Sequence, residues 1–433
     1  MSGRFGERGR ELLAHLRGVA GEVEVFEKHG RSRRFELAPE GESFGQSVEA
    51  GWAVRGGDGR RSWFVGGSGE LPRALAPPPA TVPGLRLPPP SELAPAAPPS
   101  GLDTPLLTES EGRALLAGVA RELVRELPDV RPPHLRLDEG ASEWVLASSR
   151  GVAAAGRGRS AALRVEVARG KTRLAAEFVA RAAAELKPLA LARRLADRLL
   201  ALSGGALKGA GGTLVLAPPV AARLVEAFAP RLVGAGAERQ LADLLGRDGR
   251  LGGEAVTLVD DGADAVGPLA SPHDGEGLPA GAVTLVERGR FVRPLTVWWE
   301  SATPSRAFGC ARRDGWRAVP RHGPTQLFLA PDPAHAVADL VAEVERGAYL
   351  IAAEGGVRVD AAGGELSLPV SGFALARGRA AGGLGRCRLR GTFAAFVGGV
   401  RAVGRDLDFV AGDGIYGAPT VVVDGLALVA DGD

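Results

Sequence analysis

The residue that most invites a chemical interpretation is a single acid, Glu226, in the stretch Leu214–Gly234, LVLAPPVAARLVEAFAPRLVG. This stretch predicts a short strand, a helix begun by two prolines, and one carboxylate among apolar neighbours. A carboxylate held in that way can act as a general base if a bound water lies next to it. The alternative is structural, because an acid on an amphipathic helix is usually solvated or paired with a neighbour such as Arg223.

A second candidate is the loop at residues 273–277, HDGEG, which places three polar side chains close together. Neighbouring loop side chains bind one metal ion only if the backbone folds around it, and no cysteine or second histidine stands nearby to complete a shell. We therefore interpret His273 as a turn residue, with metal binding as the lesser alternative. Cys310 and His322 enclose an Arg-rich segment without the spacing of a ligand pair, which favours a buried thiol and a surface imidazole.

Other sequence motifs give little support for catalysis or for nucleic-acid binding. The sequence has no G-x-S-x-G nucleophile elbow. Residues 204–212, GGALKGAGG, lack the phosphate-loop pattern and follow a helix, so we interpret them as a domain hinge. The segments RGRSAALR and RCRLRG have no interleaved aromatic residues, and alternating arginines on a strand predict a solvated face. These patterns argue against nucleic acid as a partner.

Composition indicates an ordinary globular protein. Of the 433 residues, 45% are apolar and 24% are charged, enough to bury a large core. Lys and Arg number 53 against 51 Asp and Glu, so the net charge of +2 gives no general attraction to nucleic acid or acidic lipid. The two cysteines, Cys310 and Cys387, cannot form the disulfide framework of a small secreted domain. Without an apolar signal segment or a bilayer-length apolar run, we expect a cytoplasmic protein with no membrane partner.

The first part of the chain divides at a Pro-rich segment. Residues 1–70 alternate apolar and polar positions around glycine-rich turns and include a predicted helix over Arg8–Val19, which together predict an N-terminal α+β unit. Residues 71–100 hold eleven prolines, which fix φ and remove backbone donors. We therefore predict a linker there.

A second α+β unit is predicted at residues 101–205. Its first helix is marked by Thr108 and Glu111, which have capping-box spacing. Strand-like alternation follows, and then a helical run over Thr172–Leu202, in which Pro188 should kink or restart the helix.

The remainder, residues 206–433, consists of short β-like segments separated by Gly, Asp and Pro. Two helices are predicted between them, at Ala334–Arg346 and Thr392–Val403. The fold class predicted for the whole chain is α+β, with N-terminal α/β units followed by a β-rich C-terminal domain with a few packed helices.

A set of motifs in the C-terminal half resembles the TldD/PmbA family, proteins known as modulators of DNA gyrase and associated with a two-subunit zinc metallopeptidase. The family shows a strand ending in an Asp pair, a Gly-Ser turn, an acidic Asp-Glu-Gly motif and a strand pair with a Glu-x-Gly turn. The matching residues are Asp260 and Asp261, Ala270-Ser271, Asp274-Gly275-Glu276-Gly277, and Glu287-Arg288-Gly289. The N-terminal EVFEKHGRSRRFEL and the closing APTVVVDGLALVADG are also similar, so the resemblance covers nearly the whole chain.

The resemblance implies a site that has lost its metal ligands. In the catalytic TldD branch, a helix carries His-Glu-x-x-x-His and a later cysteine adds a third zinc ligand, which leaves one position open for an activated water. The corresponding residues here are Val225, Glu226, Ala227, Phe228, Ala229 and Pro230, with Tyr416 in the stretch where the cysteine would stand. Glu226 would then be a vestigial general base, without metal or cofactor.

The function implied is that of the non-catalytic TldE/PmbA branch: a subunit that pairs with a TldD-like zinc metallopeptidase subunit and helps process unfolded peptides. Two alternatives stay open. The chain could be a stand-alone peptide-binding or regulatory protein, or, as the weakest alternative, an active metallopeptidase with unconventional ligands.

Overall fold

The structure, a computed structural model, describes residues 2–18, 21–79, 82–83, 86–131, 133–170, 172–203, 212–246, 248–264, 267–300, 309–360 and 364–430. Helices and extended sheets occur in both halves of the chain, and the predicted α+β class is confirmed. Among the described residues, no helix combines the length and the apolar character needed to cross a membrane.

The N-terminal half is built on one antiparallel sheet with the strand order β4-β3-β2-β1-β5-β6-β7. Its strands are β1 (Glu22–Ala38), β2 (Gly41–Gly57), β3 (Arg61–Ser68), β4 (Val82–Pro83), β5 (His134–Ser148), β6 (Ala153–Arg169) and β7 (Thr172–Ala180). β1 pairs with β5 from Glu24↔Ser148 to Leu37↔Leu135. Strands from both sides of the Pro-rich segment, predicted as two units, therefore share one sheet.

The Pro-rich residues 71–100 lie against this sheet. Most of the described segment has no regular structure, as its prolines predict, but Val82–Pro83 forms the short edge strand β4 beside β3. Leu71 and Leu87 are buried, and the Leu87 N–H donates to Glu22 Oε2 at 2.6 Å. The segment predicted as a linker is thus packed against the sheet in several places.

Three helices accompany the N-terminal sheet: α1 (Ser2–Leu16), α2 (Glu109–Glu126) and α3 (Pro188–Leu202), with a 3₁₀ turn at Ala183–Glu185 before α3. The predicted capping box is confirmed, because the Thr108 hydroxyl accepts the Glu111 N–H and the Glu111 carboxylate accepts the Thr108 N–H. The predicted helical run over Thr172–Leu202 is wrong in its first part. Residues 172–180 pair with β6 instead, because long-range strand pairing overrides the helix propensity of their alanines.

The C-terminal half contains two larger sheets. The larger follows the order β20-β23-β8-β15-β17-β19-β24, with β16 and β18 also paired to β17, and the smaller follows β11-β10-β9-β14-β22-β21. A small ladder pairs β12 with β13. The strands are β8 (Thr213–Leu216), β9 (Leu258–Asp261), β10 (Ala282–Glu287), β11 (Arg290–Phe291), β12 (Ala311–Arg312), β13 (Arg321–His322), β14 (Gln326–Leu329), β15 (Arg346–Ala353), β16 (Arg358–Val359), β17 (Glu365–Ala376), β18 (Arg379–Gly383), β19 (Cys387–Thr392), β20 (Val400–Val403), β21 (Asp408–Gly412), β22 (Gly414–Ala418), β23 (Val421–Val423) and β24 (Ala427–Ala430).

The helices of this half are α4 (Pro218–Phe228), α5 (Ala237–Gln240), α6 (Val337–Ala342) and α7 (Phe393–Gly399), with 3₁₀ turns at Ala229–Leu232 and Trp298–Glu300. α6 and α7 are both shorter than predicted. Residues 400–403, predicted as helix, pair instead as strand β20, and Arg346 already belongs to β15. α4 contacts strands of both sheets, and its apolar side chains belong to the main hydrophobic core. The core therefore surrounds the helix that carries Glu226.

Candidate functional site

The helix that carries Glu226 begins as its sequence predicts. Ala217 is extended, and the prolines at 218 and 219 occupy the first helical positions, where a missing N–H has no cost. The helix ends at Phe228 and passes directly into a 3₁₀ turn that includes Pro230. Val225 is 2% exposed and faces a small apolar cavity, whereas Pro230 is exposed. The proline therefore marks the change from α-helix to 3₁₀ turn.

Glu226 is paired within its own helix. Its Oε2 accepts a hydrogen bond from Arg223 Nη1 at 2.6 Å, and the same Nη1 donates to the Ala411 carbonyl at 2.9 Å. The two side chains are 28% and 29% exposed. The structural alternative stated for this acid, pairing with Arg223, is the one that the structure contains.

Tyr416 lies beside Glu226, so the fold brings together the two positions that the family resemblance relates. A Cβ built on Gly412, in β21, would lie 2.1 Å from Glu226 Oε1 and 2.9 Å from Tyr416 Cε2. Glycine at this position allows the β21–β22 turn to approach α4. The Tyr416 hydroxyl donates to the Asp413 carbonyl at 3.2 Å, and burial followed by the charge of Glu226 raises the pKa of Tyr416 to about 12. The phenol therefore stays neutral.

The residues at this place do not fit a zinc ion. Zinc in a peptidase needs about three nitrogen, sulfur or carboxylate donors from the protein. Val225 and Pro230 offer no donor, Tyr416 is a neutral phenol, and the carboxylate of Glu226 is engaged by Arg223. Across the part of the chain that the structure describes, no group of three His, Cys, Asp or Glu side chains is arranged to hold a metal ion.

The HDGEG loop is held by its own acids. Asp274 accepts the N–H groups of Glu276 and Leu278 on Oδ1, both at 2.9 Å, and that of Ala311 on Oδ2 at 3.0 Å. Burial, together with the charge of Glu276, raises the pKa of Asp274 to about 7. His273 packs edge-on against Trp144 with ring centroids 6.3 Å apart. The loop is therefore held together structurally by Asp274, and His273 is a turn residue packed against Trp144.

Behind this loop, four charged side chains from distant parts of the chain form a buried cluster. Arg55 donates to both carboxylate oxygens of Glu24, at 2.9 and 2.7 Å, and to Glu276 at 3.3 Å. Arg313 also donates to Glu24, and its Nε donates to the Gly275 carbonyl at 2.8 Å. All four side chains are at most 3% exposed. The cluster joins the N-terminal sheet to the C-terminal half.

In front of the cluster lies a cleft of about 230 Å³ between the N-terminal sheet and two C-terminal loops. Its sheet wall comes from β1, β5 and β6, and its other wall comes from residues 268–275 and 311–313. Six cationic side chains line it: Lys28, Arg157, Arg159, Arg181, Arg312 and Arg313. Asp274 is the acid among the described lining residues.

This cleft is not predicted from the sequence. The segment RGRSAALR was interpreted as a solvated face, and at one position this is wrong: the side chain of Arg159 is 2% exposed, whereas Arg157 and Arg164 on the same strand are 51% and 55% exposed. A usable signal was the pattern EVEVFEK, residues 22–28, in which charged residues alternate with apolar ones inside a strand that proves to be central in its sheet. The residues facing that strand come from too far along the chain to be paired by sequence alone.

The remaining candidates have ordinary environments. The Cys310 thiol donates to the Thr296 carbonyl at 3.1 Å, and burial raises the pKa of Cys310 to about 12. The His322 side chain is 40% exposed, with Nδ1 3.6 Å from Glu300 Oε2. The His322 imidazole is at the surface as predicted, and Cys310 is partly buried. The predicted hinge at residues 204–212 lies outside the described residues, apart from Gly212.

The profile of the PmbA/TldA metallopeptidase C-terminal domain matches residues 210–430, which is more than half of the chain. The chain therefore belongs to the PmbA/TldA metallopeptidase family, the TldD/PmbA family that its motifs resemble. No curated protein sequence matches it significantly.

Solved structures with the same fold extend over nearly the whole chain. TldE from Thermococcus kodakarensis has a TM-score of 0.82 at 15% identity, with 98% of this chain and 100% of that chain covered. A protein described as a modulator of DNA gyrase from Thermotoga maritima gives 0.78 at 17% identity, with 98% and 100% covered. A second such protein, from Bacteroides thetaiotaomicron, gives 0.74 at 15% identity, with 99% of both covered. At these identities the likeness establishes the fold, and the role of the chain has to be argued from its residues.

Proposed function

We propose that this chain is a non-catalytic, TldE-like subunit that pairs with a TldD-like zinc metallopeptidase subunit in the processing of unfolded peptides. One observation carries the proposal: at the α4–β22 contact, the positions that correspond to the family's metal ligands are Val225, Pro230 and Tyr416. The remaining acid there, Glu226, is paired with Arg223. A carboxylate without a metal-bound water next to it has nothing to activate.

The surroundings of Glu226 support a structural role for α4. The side chains of α4 fill the core between the two C-terminal sheets, and Val225 is part of that core. A subunit can keep such a scaffold and lose its catalytic residues, because the fold depends on packing and not on the metal. We also propose the cytoplasm as its location, because the two cysteines, Cys310 and Cys387, cannot form the disulfide framework of a small secreted domain.

The test is a peptidase assay with three samples: this chain, a His-Glu-x-x-x-His homologue from the same genome, and their mixture. We expect no cleavage of an unfolded peptide by this chain alone and cleavage by the mixture, with both chains eluting together in size-exclusion chromatography. Cleavage by the purified chain alone that a chelator abolishes would contradict the proposal and revive the alternative of unconventional ligands. Separate elution of the two chains at micromolar concentration would also count against it.

A second function is favoured by the cationic cleft, because the cleft lies within this chain and needs no partner to form. The chain would then be a stand-alone peptide-binding or regulatory protein. A homologue with the zinc motif encoded beside it would favour the subunit, whereas a genome without such a homologue would favour the stand-alone protein.

A further inference from the structure

The cleft between the N-terminal sheet and the C-terminal loops has an excess of positive charge that the described residues do not balance inside it. Four of the arginines pair with acids that do not line the cleft: Arg157 with Asp103, Arg159 with Glu139, Arg312 with Asp314 and Arg313 with Glu24. The acid that does line it, Asp274, uses both oxygens to accept backbone N–H groups. The cationic lining of the cleft therefore favours binding of a negatively charged ligand that is not part of the described chain.

Buried donors without acceptors point to the same place. The side chain of Arg159 is 2% exposed, and its Nη2 lies 3.3 Å from the Pro105 carbonyl and 3.6 Å from Glu139 Oε1. Its Nε and Nη1 have no hydrogen-bond partner in the described part of the chain, and the same holds for Nη1 of Arg313, whose side chain is 3% exposed. Buried guanidinium N–H groups are costly to leave without an acceptor.

The two residues that carry these donors line opposite walls of the cleft. Arg159 belongs to β6 of the sheet wall, and Arg313 follows β12 in the loop wall. Lys28, in β1, adds a third cation on the sheet side, and burial lowers the pKa of its ammonium group. An oxyanion between the two walls would supply acceptors to guanidinium groups from both.

An apolar surface adjoins the cations. Phe26 and Trp144 line the cleft with ring centroids 6.1 Å apart, and Leu102 lies in the same lining. The Arg313 guanidinium stacks over Phe26 at 4.4 Å from the ring centroid. The cleft volume of about 230 Å³ is many times the ~10–15 Å³ that a cavity needs to hold one water molecule. It accommodates a group larger than a simple inorganic ion.

We propose that this cleft binds a carboxylate that carries an adjoining apolar group, the chemistry of the C-terminal residue of a peptide. The carboxylate accepts hydrogen bonds from Arg159 and Arg313 near Lys28, and the apolar group packs against Phe26 and Trp144. The planar fork of arginine matches the two oxygens of a carboxylate. The site belongs to this chain alone, so its existence does not rest on the proposed pairing with a zinc subunit.

The test uses N-acetyl-Ala-Phe with a free carboxylate and the same dipeptide as its C-terminal amide. In isothermal titration calorimetry with the purified full chain, we expect the acid to bind at least tenfold more tightly than the amide. Inorganic phosphate serves as the third probe and is expected to bind more weakly than the acid, because it has no apolar group. Equal binding of acid and amide, or phosphate binding as tight as that of the acid, would overturn the proposal.

Two variants locate the site. Arg159→Lys keeps a positive charge beside Glu139 but removes the fork, and Lys28→Met removes a charge at a half-buried position with little change in shape. Each should weaken binding of the acid about tenfold. Arg164→Ala is the matched control, because Arg164 lies on the same strand, is 55% exposed and does not line the cleft.

Melting curves identify variants that fail to fold. If Arg159→Lys unfolds, Lys28→Met still decides the matter, since Lys28 forms no ion pair with any described residue whose loss would unfold the chain. Binding would lie elsewhere if Lys28→Met binds the acid with unchanged affinity and Arg159→Lys either does the same or fails to fold. Such a result would refute the assignment of this cleft.

Discussion

Two regions of the molecule differ in how far their polar groups are satisfied within the chain. At the α4–β22 contact, Glu226 is paired with Arg223, the Tyr416 hydroxyl donates to a backbone carbonyl, and the neighbouring positions are apolar. In the cleft between the N-terminal sheet and the C-terminal loops, Nε and Nη1 of Arg159 and Nη1 of Arg313 have no acceptor among the described residues. The family resemblance points to the first region, whereas buried hydrogen-bond donors without acceptors occur in the second.

The difference distinguishes polar groups that stabilise the fold from polar groups that are available to bind a ligand. A polar group that has its partners inside the protein contributes to stability. A buried donor without a partner lowers stability unless something else provides the acceptor. We therefore assign the α4–β22 contact to the scaffold and look for binding in the cleft.

The largest effect should come from breaking the buried cluster that stands behind the cleft. Arg55→Met leaves Glu276 without its cation and weakens the hold on Glu24, at side chains that are at most 1% exposed. Removal of one partner from a buried ion pair costs about 3–5 kcal/mol. We expect a loss of that size in the free energy of unfolding, measured with urea.

The control for that experiment is Arg34→Met, which removes an ion pair with Asp138 in the same sheet. Its side chains are 53% and 36% exposed, and exposed pairs contribute about 0–1 kcal/mol. Losses of similar size in both variants would mean that the cluster does not hold the two halves of the chain together.

A smaller effect concerns Asp260, which lies beside Thr325 in the cleft lining and next to Gln326. Its Oδ1 accepts the N–H groups of both residues at 2.8 Å, and burial raises the pKa of Asp260 to about 7 from 3.8. Between these values the folded chain retains a proton that the unfolded chain releases, so Asp260 lowers stability as the pH rises. The slope approaches about 1.4 kcal/mol per pH unit and disappears above pH 7.

Asp260→Asn provides the comparison, because asparagine keeps the accepting oxygen and cannot ionise. In urea unfolding from pH 5 to 8, the stability of the native chain should fall relative to the variant up to about pH 7 and then run parallel to it. A constant difference between the two proteins over the whole range would show that the carboxyl group is ionised throughout.

The smallest effect is expected at the position that the family resemblance singles out. Glu226→Gln removes a pair whose side chains are 28% and 29% exposed, so the loss of stability should stay below about 1 kcal/mol. In the mixture with a zinc-bearing homologue, peptide cleavage should remain within about twofold of the native rate. A collapse of cleavage without loss of association would give Glu226 a catalytic role and remove the contrast between the two regions.

Sequence signals were sufficient to predict elements that are determined by neighbouring residues, such as the starts of helices. The prolines at 218 and 219 predicted the start of α4, and Thr108 with Glu111 predicted the start of α2. The alanine-rich Thr172–Ala180 was assigned to a helix because nothing nearby reveals β6 as its partner. Strand pairing of that kind depends on residues that become neighbours only in the folded chain.

The same dependence on long-range contacts decides which residues of the candidate site could be predicted from the sequence. The pairing of Glu226 with Arg223 could be foreseen, since the residues are three apart on one helix. The cluster of Glu24, Arg55, Glu276 and Arg313 could not, because its members come from four separate segments. Arg159 was expected in solvent because alternation along β6 does not reveal that C-terminal loops cover part of that face.

The ladder between β1 and β5 has a consequence for any attempt to divide this protein. A fragment that ended at residue 100 would contain β1 without β5, and the edge from Glu24 to Leu37 would present a long row of unpaired backbone donors and acceptors. Such edges recruit other strands, including those of identical fragments. Residues 1–100 are thus an incomplete half of a sheet, and a truncated product released during synthesis would tend to aggregate instead of persisting as a small folded module.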